Sequence, residues 1–276
     1  MAFIEYQFKT ANTDSNEILI ALLSEAGFDS FYEDDDVLKA YIDETLDSAT
    51  VVSDIIDTYP ALANLPFEKS KLEDKNWNAE WESNFEPIFI SDKAVIRASF
   101  HNIKRHFDYD IVIDPKMAFG TGHHATTRLM VGAMLDMDFK GKTVLDFGCG
   151  TGVLAILAKM MGAGKTIAID NDEWAFNNTI ENCETNGTPD IETIQGDQNN
   201  IPDMQFDIIL ANVNRNILNQ SMQILSNHIK AEGTVLLSGL LSSHEDIIMS
   251  AANRAGLSFV DKKSENDWIC INLAKK

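Results

Sequence analysis

The N-terminal part of the chain switches between a two-residue and a helical hydrophobic period. Ile4, Tyr6 and Phe8 alternate with polar residues, which predicts a half-buried strand. Apolar residues then recur at helical spacing over residues 14–26, and Gly27 ends this predicted helix. The segments that follow predict strands at 28–32 and 37–42, a helix at 48–59 and a strand at 67–72. This order is typical of a small ferredoxin-like α+β domain.

A connecting helix is predicted next, over residues 76–86. Trp77, Trp81 and Phe85 stand four residues apart, so they share one helix face. Packing of this face against a neighbouring domain is favoured over stacking on a ligand. We therefore expect an N-terminal domain at residues 1–74, a linker helix at 75–88 and a larger domain at 89–276.

Strands and helices alternate regularly from about residue 143 onward. Strands are predicted at 143–146, 166–170, 191–195, 206–211 and 234–238, and helices at 153–161, 172–186, 216–229 and 242–255. The last two predicted strands, at 257–262 and 268–273, are predicted to form a β-hairpin. The alternation predicts an α/β fold with a doubly wound, mostly parallel sheet and an antiparallel edge strand.

The charge of the chain narrows the choice of partner. Of 276 residues, 45% are hydrophobic and 24% charged, which is typical of a folded protein. The formal net charge is −21, and residues 1–60 alone carry −12 of it. Such an excess disfavours nucleic acid or an anionic membrane as the main partner and favours a small molecule or a basic protein. The acidic N-terminal part could equally serve a solubilising role.

Cysteine and histidine positions indicate neither a disulfide framework nor a metal site. The three cysteines, Cys149, Cys183 and Cys270, lack metal-ligand spacing. His123 and His124 are adjacent, and neighbouring side chains seldom converge on one ion. The chain also shows no apolar segment of the roughly 18 residues that a membrane span needs, and no signal sequence. We expect a cytoplasmic location, no membrane association and no bound metal.

A glycine-rich turn follows the first strand of the alternating region. Gly148, Gly150 and Gly152 occupy every second position between a predicted strand and a predicted helix. Such glycines let a ligand approach the backbone, and we expect it to meet N–H groups at the start of the helix. Asp170 ends the next strand, where a carboxylate accepts hydrogen bonds from a ribose diol. The loop therefore predicts a nucleoside-containing cofactor.

Two cofactors are compatible with this loop. Gly150-x-Gly152-x-x-Ala155 fits the dinucleotide fingerprint, which leaves an NAD- or flavin-dependent oxidoreductase as one interpretation. Asp146, however, directly precedes the turn, and an anion is unfavourable beside a diphosphate but favourable beside a sulfonium cation. This argument favours S-adenosylmethionine as the cofactor.

The segment from Asp114 to Thr127, DPKMAFGTGHHATT, carries a resemblance to a known family. It is similar to the D-P-x-x-A-F-G-T-G-x-H-x-T-T signature of the PrmA family, and the resemblance covers essentially the whole chain. It implies a class I methyltransferase core that uses S-adenosylmethionine and an N-terminal substrate-recognition domain. The substrate implied is the eleventh protein of the large ribosomal subunit, methylated on lysine ε-amines and its N-terminal α-amine.

The resemblance also implies a set of site residues. Those implied to bind the cofactor are Thr127, Gly148, Asp170, Asn212, Phe119, Gly120 and Gly150. Asn212 is also the candidate for positioning the acceptor amine, although an asparagine there could instead cap the next helix. Asp197 follows the third strand and could contact adenine or cap a turn. Cys149 is expected to pack rather than to act as a nucleophile.

Three other functions remain open. The oxidoreductase is one, a methyltransferase acting on a small molecule or RNA is the second, and a non-catalytic ribosomal partner that keeps the loop is the third. The acidic N-terminal part and the Asp114–Thr127 segment argue against the second. Because the pocket must accept an uncharged amine, we expect it to be locally neutral even though the chain is acidic.

Overall fold

The computed structural model describes residues 3–9, 13–34, 37–59, 62, 65–71, 86–114 and 119–275, in two compact units, Met1–Asn84 and Phe85–Lys276. Residues 76–85 of the predicted connecting helix lie outside the described residues, as do residues 115–118 of the signature segment.

The N-terminal unit is a four-stranded antiparallel sheet with two helices. Its elements are β1 (Phe3–Lys9), α1 (Thr13–Glu25), β2 (Ser30–Asp34), β3 (Val37–Asp43), α2 (Ala49–Thr58) and β4 (Phe67–Lys71). The strand order is β2-β3-β1-β4, which confirms the predicted ferredoxin-like arrangement. Ile4, Tyr6 and Phe8 of β1 are buried in its core together with Leu19 and Leu23 of α1.

The C-terminal unit opens with elements that the hydrophobic pattern did not predict. These are β5 (Ile88–Ile90), β6 (Ala94–Arg97), β7 (Tyr109–Val112) and α3 (Ala125–Met134). β5, β6 and β7 form a sheet of their own. Strands of three or four residues contain too few positions to show a period, and α3 is buried on most sides, so it lacks an amphipathic pattern.

A seven-stranded sheet forms the centre of this unit. Its elements are β8 (Val144–Phe147), α4 (Val153–Met160), β9 (Thr166–Asp170), α5 (Glu173–Thr185), β10 (Glu192–Gln195), β11 (Phe206–Asn212), α6 (Arg215–His228), β12 (Ile229–Leu241), α7 (Glu245–Arg254), β13 (Leu257–Glu265) and β14 (Trp268–Lys275). The order is β10-β9-β8-β11-β12-β14-β13. β14 pairs antiparallel with both β12 and β13, and the other pairs in this sheet are parallel. The predicted doubly wound, mostly parallel sheet is confirmed.

The order of the strands reverses between β8 and β11. Alternate residues of β8 enter two hydrophobic clusters, Val144 in one that includes α3 and α4 and Leu145 in another that includes α6 and α7. Because the helices after β8 and β11 cover opposite faces, a crevice opens at the carboxyl ends of these two strands. Among the helices that the structure describes, none combines the length and apolar character needed to cross a bilayer.

Candidate functional site

A cavity of about 590 Å³ lies in the C-terminal unit at the carboxyl ends of the parallel strands. Its volume is in the range of small-molecule and cofactor sites. Six of the seven residues that the sequence assigns to cofactor binding line it: Phe119, Gly120, Gly148, Gly150, Asp170 and Asn212. The fold therefore brings together residues that are up to 93 positions apart in the sequence.

The glycine loop requires glycine at two of these positions. Gly148 and Gly150 both have positive φ angles, 73° and 57°. A Cβ atom on Gly148 would lie 2.1 Å from Cγ1 of Val213, and one on Gly150 would lie 2.2 Å from the carbonyl oxygen of Phe119. Any side chain here would therefore displace the segments that form the cavity wall.

The backbone N–H groups at the start of the loop are bonded within the protein. Those of Gly148 and Cys149 donate to the carbonyl of Ile169, at 2.8 and 3.0 Å. That of Gly150 donates to Oδ2 of Asp170 at 2.9 Å. The carboxylate of Asp170 is thereby held against the loop, with further lone pairs on both oxygens left to accept bonds.

The rest of the loop is satisfied in the same way. The N–H of Thr151 donates to the carbonyl of Phe119 at 2.9 Å, and the N–H of Gly152 donates to the carbonyl of Cys149 at 2.8 Å. The Ala155 N–H in the first turn of α4 donates to Oδ2 of Asp146 at 3.0 Å. The loop residues 148–152 therefore offer none of these N–H groups to a diphosphate. The expected contact between a ligand and the N–H groups at the start of the helix stays a prediction, and Val153 and Leu154 at that helix start line the cavity.

Asp146 does not play the electrostatic part that its sequence position suggested. Its side chain is fully buried, and its Oδ1 atom has no partner among the described residues. Burial, reinforced by the nearby charge of Asp170, raises the pKa of the Asp146 carboxyl to about 7. Asp146 is partly protonated at neutral pH and does not line the cavity, so the expectation that it acts as a fixed anion beside the cofactor is wrong.

The charged residues that do line the cavity are acidic. Asp170 and Asp197 both lie on its wall, and no lysine or arginine occurs among the described residues that line it. Asp197 also caps the following turn, accepting from the N–H of Asn199 at 2.8 Å, so the structure shows the capping role together with the cavity position. This wall suits a cationic ligand better than a diphosphate.

Asn212 is not the cap of α6. That role belongs to Asn214, whose side-chain oxygen accepts from the N–H groups of Asn216 and Ile217, each at 3.1 Å. Asn212 lines the cavity, and its Oδ1 atom is buried without a hydrogen-bond partner among the described residues. A buried acceptor with no partner is costly unless a ligand donates to it.

Phe119 and Gly120 form a short segment attached to the glycine loop. Thr151 Oγ1 donates to the Gly120 carbonyl at 2.9 Å, in addition to the backbone bond from Thr151 to Phe119. Thr127, in contrast, is fully buried and is not among the described residues that line the cavity, whereas the adjacent Thr126 is. The implied cofactor contact of Thr127 stays a prediction.

Comparison with known proteins identifies the family. The chain matches the model of the family "Ribosomal protein L11 methyltransferase (PrmA)" over residues 8–276. The chain belongs to the PrmA family. It is 42% identical to a ribosomal protein L11 methyltransferase of Bacteroides thetaiotaomicron, with 99% of both chains covered, and 40% identical to one of Porphyromonas gingivalis, with 99% of this chain and 98% of that one covered.

A solved structure agrees with this membership. The chain is similar to a crystal structure of a ribosomal protein L11 methylase from Lactobacillus delbrueckii subsp. bulgaricus, with a TM-score of 0.65 and 27% identity over 70% of this chain and 98% of that one. The resemblance to the PrmA family and the class I methyltransferase fold are thereby confirmed. Membership in a methyltransferase family also argues against the oxidoreductase interpretation.

Two lining residues of this PrmA-family chain were not anticipated as a pair. His124 and Trp268 both line the cavity, with ring centroids 4.5 Å apart and the planes at 73°. Trp268 begins β14, and because β14 runs antiparallel its first residue lies at the carboxyl edge of the parallel strands. An aromatic residue at the start of a predicted antiparallel edge strand is the sequence signal that could have indicated it.

The protonation of His124 follows from its place at the start of α3. Its Nδ1 atom accepts from the N–H of Thr126, which leaves the proton of the neutral ring on Nε2. Burial, together with the positive charge of Arg128, lowers the pKa of His124, so the neutral form is favoured at pH 7.

Cys149 also behaves as the sequence suggested. Burial raises the pKa of its thiol well above the ordinary value, and the side chain packs in the core beside Thr179. It is therefore a thiol and not a thiolate nucleophile. Among the residues that the structure describes, no group of three His, Cys, Asp or Glu side chains is arranged to hold a metal ion.

Proposed function

We propose that this protein transfers methyl groups from S-adenosylmethionine to amino groups of ribosomal protein L11. The observation that carries the proposal is the match to the PrmA family over residues 8–276, since relatives that cover 99% of the chain are named for this activity. The cavity supports it chemically, because its wall carries two carboxylates and its glycine loop has no N–H group left for a diphosphate.

The residues of the cavity fit this cofactor. Asp170 would accept hydrogen bonds from the ribose hydroxyls, and Gly148 and Gly150 would let the ligand approach the backbone. Asn212 Oδ1 would accept a hydrogen bond from a ligand amine. When bound, S-adenosylmethionine supplies a methyl group already activated on a sulfonium centre. The protein then has to orient two molecules rather than to create a reactive group.

We infer the roles of the two ends of the cavity from the order of the strands. Asp170 ends β9, and Trp268 begins β14, four strand steps away across the sheet. At about 4.8 Å per step this separation is roughly 19 Å. With the ribose held by Asp170, the side near β11 to β14 is left for the acceptor amine, and we call it the acceptor end.

The acceptor end suits an uncharged amine. Its lining residues from β11, β12 and β14, namely Asn212, Gly239 and Trp268, carry no charge. A lysine with a pKa of about 10.4 needs about 4.6 kcal/mol to lose its proton at pH 7, and an α-amine with a pKa of about 7.8 needs about 1 kcal/mol. A carboxylate here would increase that cost by stabilising the ammonium form. Both lining carboxylates lie on β9 and after β10, at the other end.

His124 supplies no proton acceptor at the acceptor end. Its Nδ1 lone pair is used by the Thr126 N–H, and its Nε2 atom carries the proton. The amine therefore loses its proton to solvent before transfer, and His124 contributes a hydrogen-bond donor and a ring face. We assign no general base.

The N-terminal unit is proposed to recognise the protein substrate. Residues 1–60 carry a net charge of −12, which attracts a basic protein through the long-range field. We also infer that the reaction takes place in the cytoplasm, with no direct role for nucleic acid or a membrane. The domain boundaries remain part of this proposal, with the linker helix confined to residues before 86, because residues 86–87 are not helical and Ile88 begins β5.

The first test is transfer of labelled methyl groups from S-adenosylmethionine to purified ribosomal proteins. We expect label on L11, and we expect Asp170→Asn to bind S-adenosylmethionine at least about tenfold more weakly in calorimetry, because a charge-assisted contact with the ribose is lost. Asparagine keeps an oxygen that can accept from Gly150, so the loop is preserved.

Asp172→Asn is the matched control. Asp172 lies two residues away and caps α5, accepting from the N–H groups of Trp174 and Ala175, and asparagine keeps that cap. Its affinity should equal that of the wild type. Unchanged affinity of Asp170→Asn would disprove the ribose contact, and labelling of a small molecule instead of L11 would disprove the protein substrate.

A further inference from the structure

One arginine joins the C-terminal hairpin to the signature segment. Arg128 lies in the first turn of α3, and its Nε donates to Oε1 of Glu265 at 3.0 Å while its Nη2 also bonds that carboxylate. The remaining nitrogen, Nη1, donates to the carbonyl of His123. A planar guanidinium with donors on both sides can hold two segments in one fixed geometry, which an ammonium group cannot do.

Both segments held by Arg128 lead directly to the cavity wall. His123 precedes His124, and Glu265 ends β13, from which a turn with Asn266 at a φ angle of 53° leads to Trp268. His124 and Trp268 are the two rings that meet at 4.5 Å. Arg128 and Glu265 do not themselves line the cavity.

We propose that Arg128 and Glu265 are a positioning pair that holds Trp268 against His124 and so fixes the acceptor end of the cavity. The proposal rests on the proposed function, because the acceptor end is defined by amine methylation. Neither residue touches the reacting atoms. Their role is to keep the wall at one distance from the bound amine, and a displacement of about 1 Å at such a wall lowers the rate about a hundredfold.

A second ion pair between the same elements provides a matched control. Lys263 of β13 donates to the Gly132 carbonyl at 2.9 Å and to Asp136 at 2.5 Å, near the far end of α3. It joins the hairpin to the helix as Arg128 does, but it bonds neither His123 nor a residue next to Trp268. A variant of Lys263 therefore weakens the packing of the hairpin without releasing the two rings.

The kinetic test compares Arg128→Met, Glu265→Gln and Lys263→Met. For the first two we expect kcat for L11 methylation to fall about ten- to a hundredfold, with the dissociation constant for S-adenosylmethionine within about twofold of wild type. Lys263→Met should keep the wild-type kcat. Arg128→Lys should behave like Arg128→Met, because the role requires the planar guanidinium with its several N–H donors and not the positive charge alone. An unchanged kcat in Arg128→Met, or an equal fall in Lys263→Met, would overturn the proposal.

A spectroscopic test does not depend on the reaction. The Trp268 ring, 4.5 Å from the His124 ring, should shift the NMR resonances of the His124 ring protons, which are assigned by their loss in His124→Gln. The spectra are recorded at about pH 9, where His124 is neutral in every variant, because Arg128 and Glu265 also affect its pKa. We expect these resonances to move in Arg128→Met and Glu265→Gln and to stay in place in Lys263→Met. If wild type methylates no L11 but the resonances move as expected, the proposed function fails and the positioning pair stands. If the resonances stay in place in both Arg128→Met and Glu265→Gln, the pair is disproved.

Discussion

The carboxyl group of Asp146 lies buried beside the first turn of α4, with one oxygen bonded to the Ala155 N–H and the other without a partner among the described residues. In the sequence the same residue looks like an anion at the mouth of the glycine loop. The difference arises because burial in a strand surrounded by apolar side chains cannot be deduced from the position of one acid. Its pKa of about 7 makes the charge of this group depend on pH near neutrality.

This raised pKa predicts a pH-dependent difference in stability. The folded state keeps the Asp146 proton up to about pH 7, whereas the unfolded chain releases it near pH 4. The contribution of Asp146 to the free energy of unfolding is therefore lost as pH rises, at about 1.4 kcal/mol per pH unit in that window. The amide of Asp146→Asn does not titrate, so the free energy of unfolding of this variant lacks this slope. In urea unfolding, the stability of the variant relative to wild type should therefore increase from pH 5 to pH 7.

Asp190→Asn is the control for that measurement. A hydrogen bond from Lys159 lowers the pKa of Asp190, so folded and unfolded states have both released the proton above pH 5. The difference in free energy of unfolding between Asp190→Asn and wild type should stay constant between pH 5 and pH 8. If the Asp146→Asn and wild-type curves ran parallel over the same range, the raised pKa would be wrong.

Among the elements, the glycine loop is the one whose conformation the sequence specifies most directly. Gly150→Ala places a Cβ atom at a φ angle of 57° and 2.2 Å from the Phe119 carbonyl. We expect a loss of about 2–4 kcal/mol in the free energy of unfolding, from backbone strain and the clash together, and a weaker affinity for S-adenosylmethionine. Calorimetric unfolding and titration measure the two effects.

Gly187→Ala is a control that separates the effect of backbone strain from the effect of the clash with Phe119. Gly187 also has a positive φ angle, 67°, but nothing lies within 4 Å of a Cβ atom built on it. Gly187→Ala should lower the free energy of unfolding by only about 1 kcal/mol and leave the affinity for S-adenosylmethionine unchanged. Equal losses in the two variants would mean that the approach of Phe119 to the loop is unimportant.

The elements also show where sequence reasoning reached its limit. β9 was predicted with its final bounds, and the other parallel strands within one or two residues, apart from β12, because continuous apolar runs between helices leave few alternatives. β12 runs from Ile229 to Leu241, well beyond the predicted 234–238. It begins earlier because Ile229 pairs with Phe206 across a register shift against β11, and it ends later because a register shift against β14 lets it continue to Leu241. The short strands β5 to β7 lack any usable period.

The residues of the candidate site that end or directly follow a strand could be predicted from the sequence. Gly148, Asp170 and Asn212 each end or follow a strand, and parallel strands bring such residues to one edge. Trp268 and His124 meet only because β14 returns antiparallel beside β12 and α3 packs against it, which is a tertiary contact. The internal bonding of the loop also includes a tertiary contact, because the Thr151 N–H donates to the carbonyl of Phe119.

At the scale of the whole molecule, we expect the two compact units to have separable tasks. The N-terminal unit has its own core, and β4 pairs with β1 through residues 67–71, so a clean truncation must remove the chain through Lys71. We expect the remaining chain to bind S-adenosylmethionine within about twofold of wild type and to lose methylation of L11. Calorimetry measures the affinity for S-adenosylmethionine, and transfer of labelled methyl groups measures the methylation of L11. Wild-type methylation of L11 by the truncated chain would contradict the substrate-recognition role of the N-terminal unit.

Salt dependence provides an independent check at the same scale. If the −12 charge of residues 1–60 attracts the substrate, raising ionic strength from about 0.05 to 0.5 M should raise the KM for L11, because screening shortens the range of the field. The dissociation constant for S-adenosylmethionine should change much less. A KM for L11 that did not respond to salt would rule out electrostatic recruitment.

The closed hydrogen bonding of the glycine loop has a consequence inside a cell. ATP, NAD and their relatives are abundant, and many nucleotide sites admit them through the triphosphate or diphosphate they share. In this cavity the N–H groups of residues 148–152 are bonded within the protein, and the wall carries two carboxylates and no described lysine or arginine. A diphosphate or triphosphate would therefore gain little stabilisation from this wall. The rate of this enzyme should accordingly follow the supply of its methyl donor and remain indifferent to the energy state of the cell.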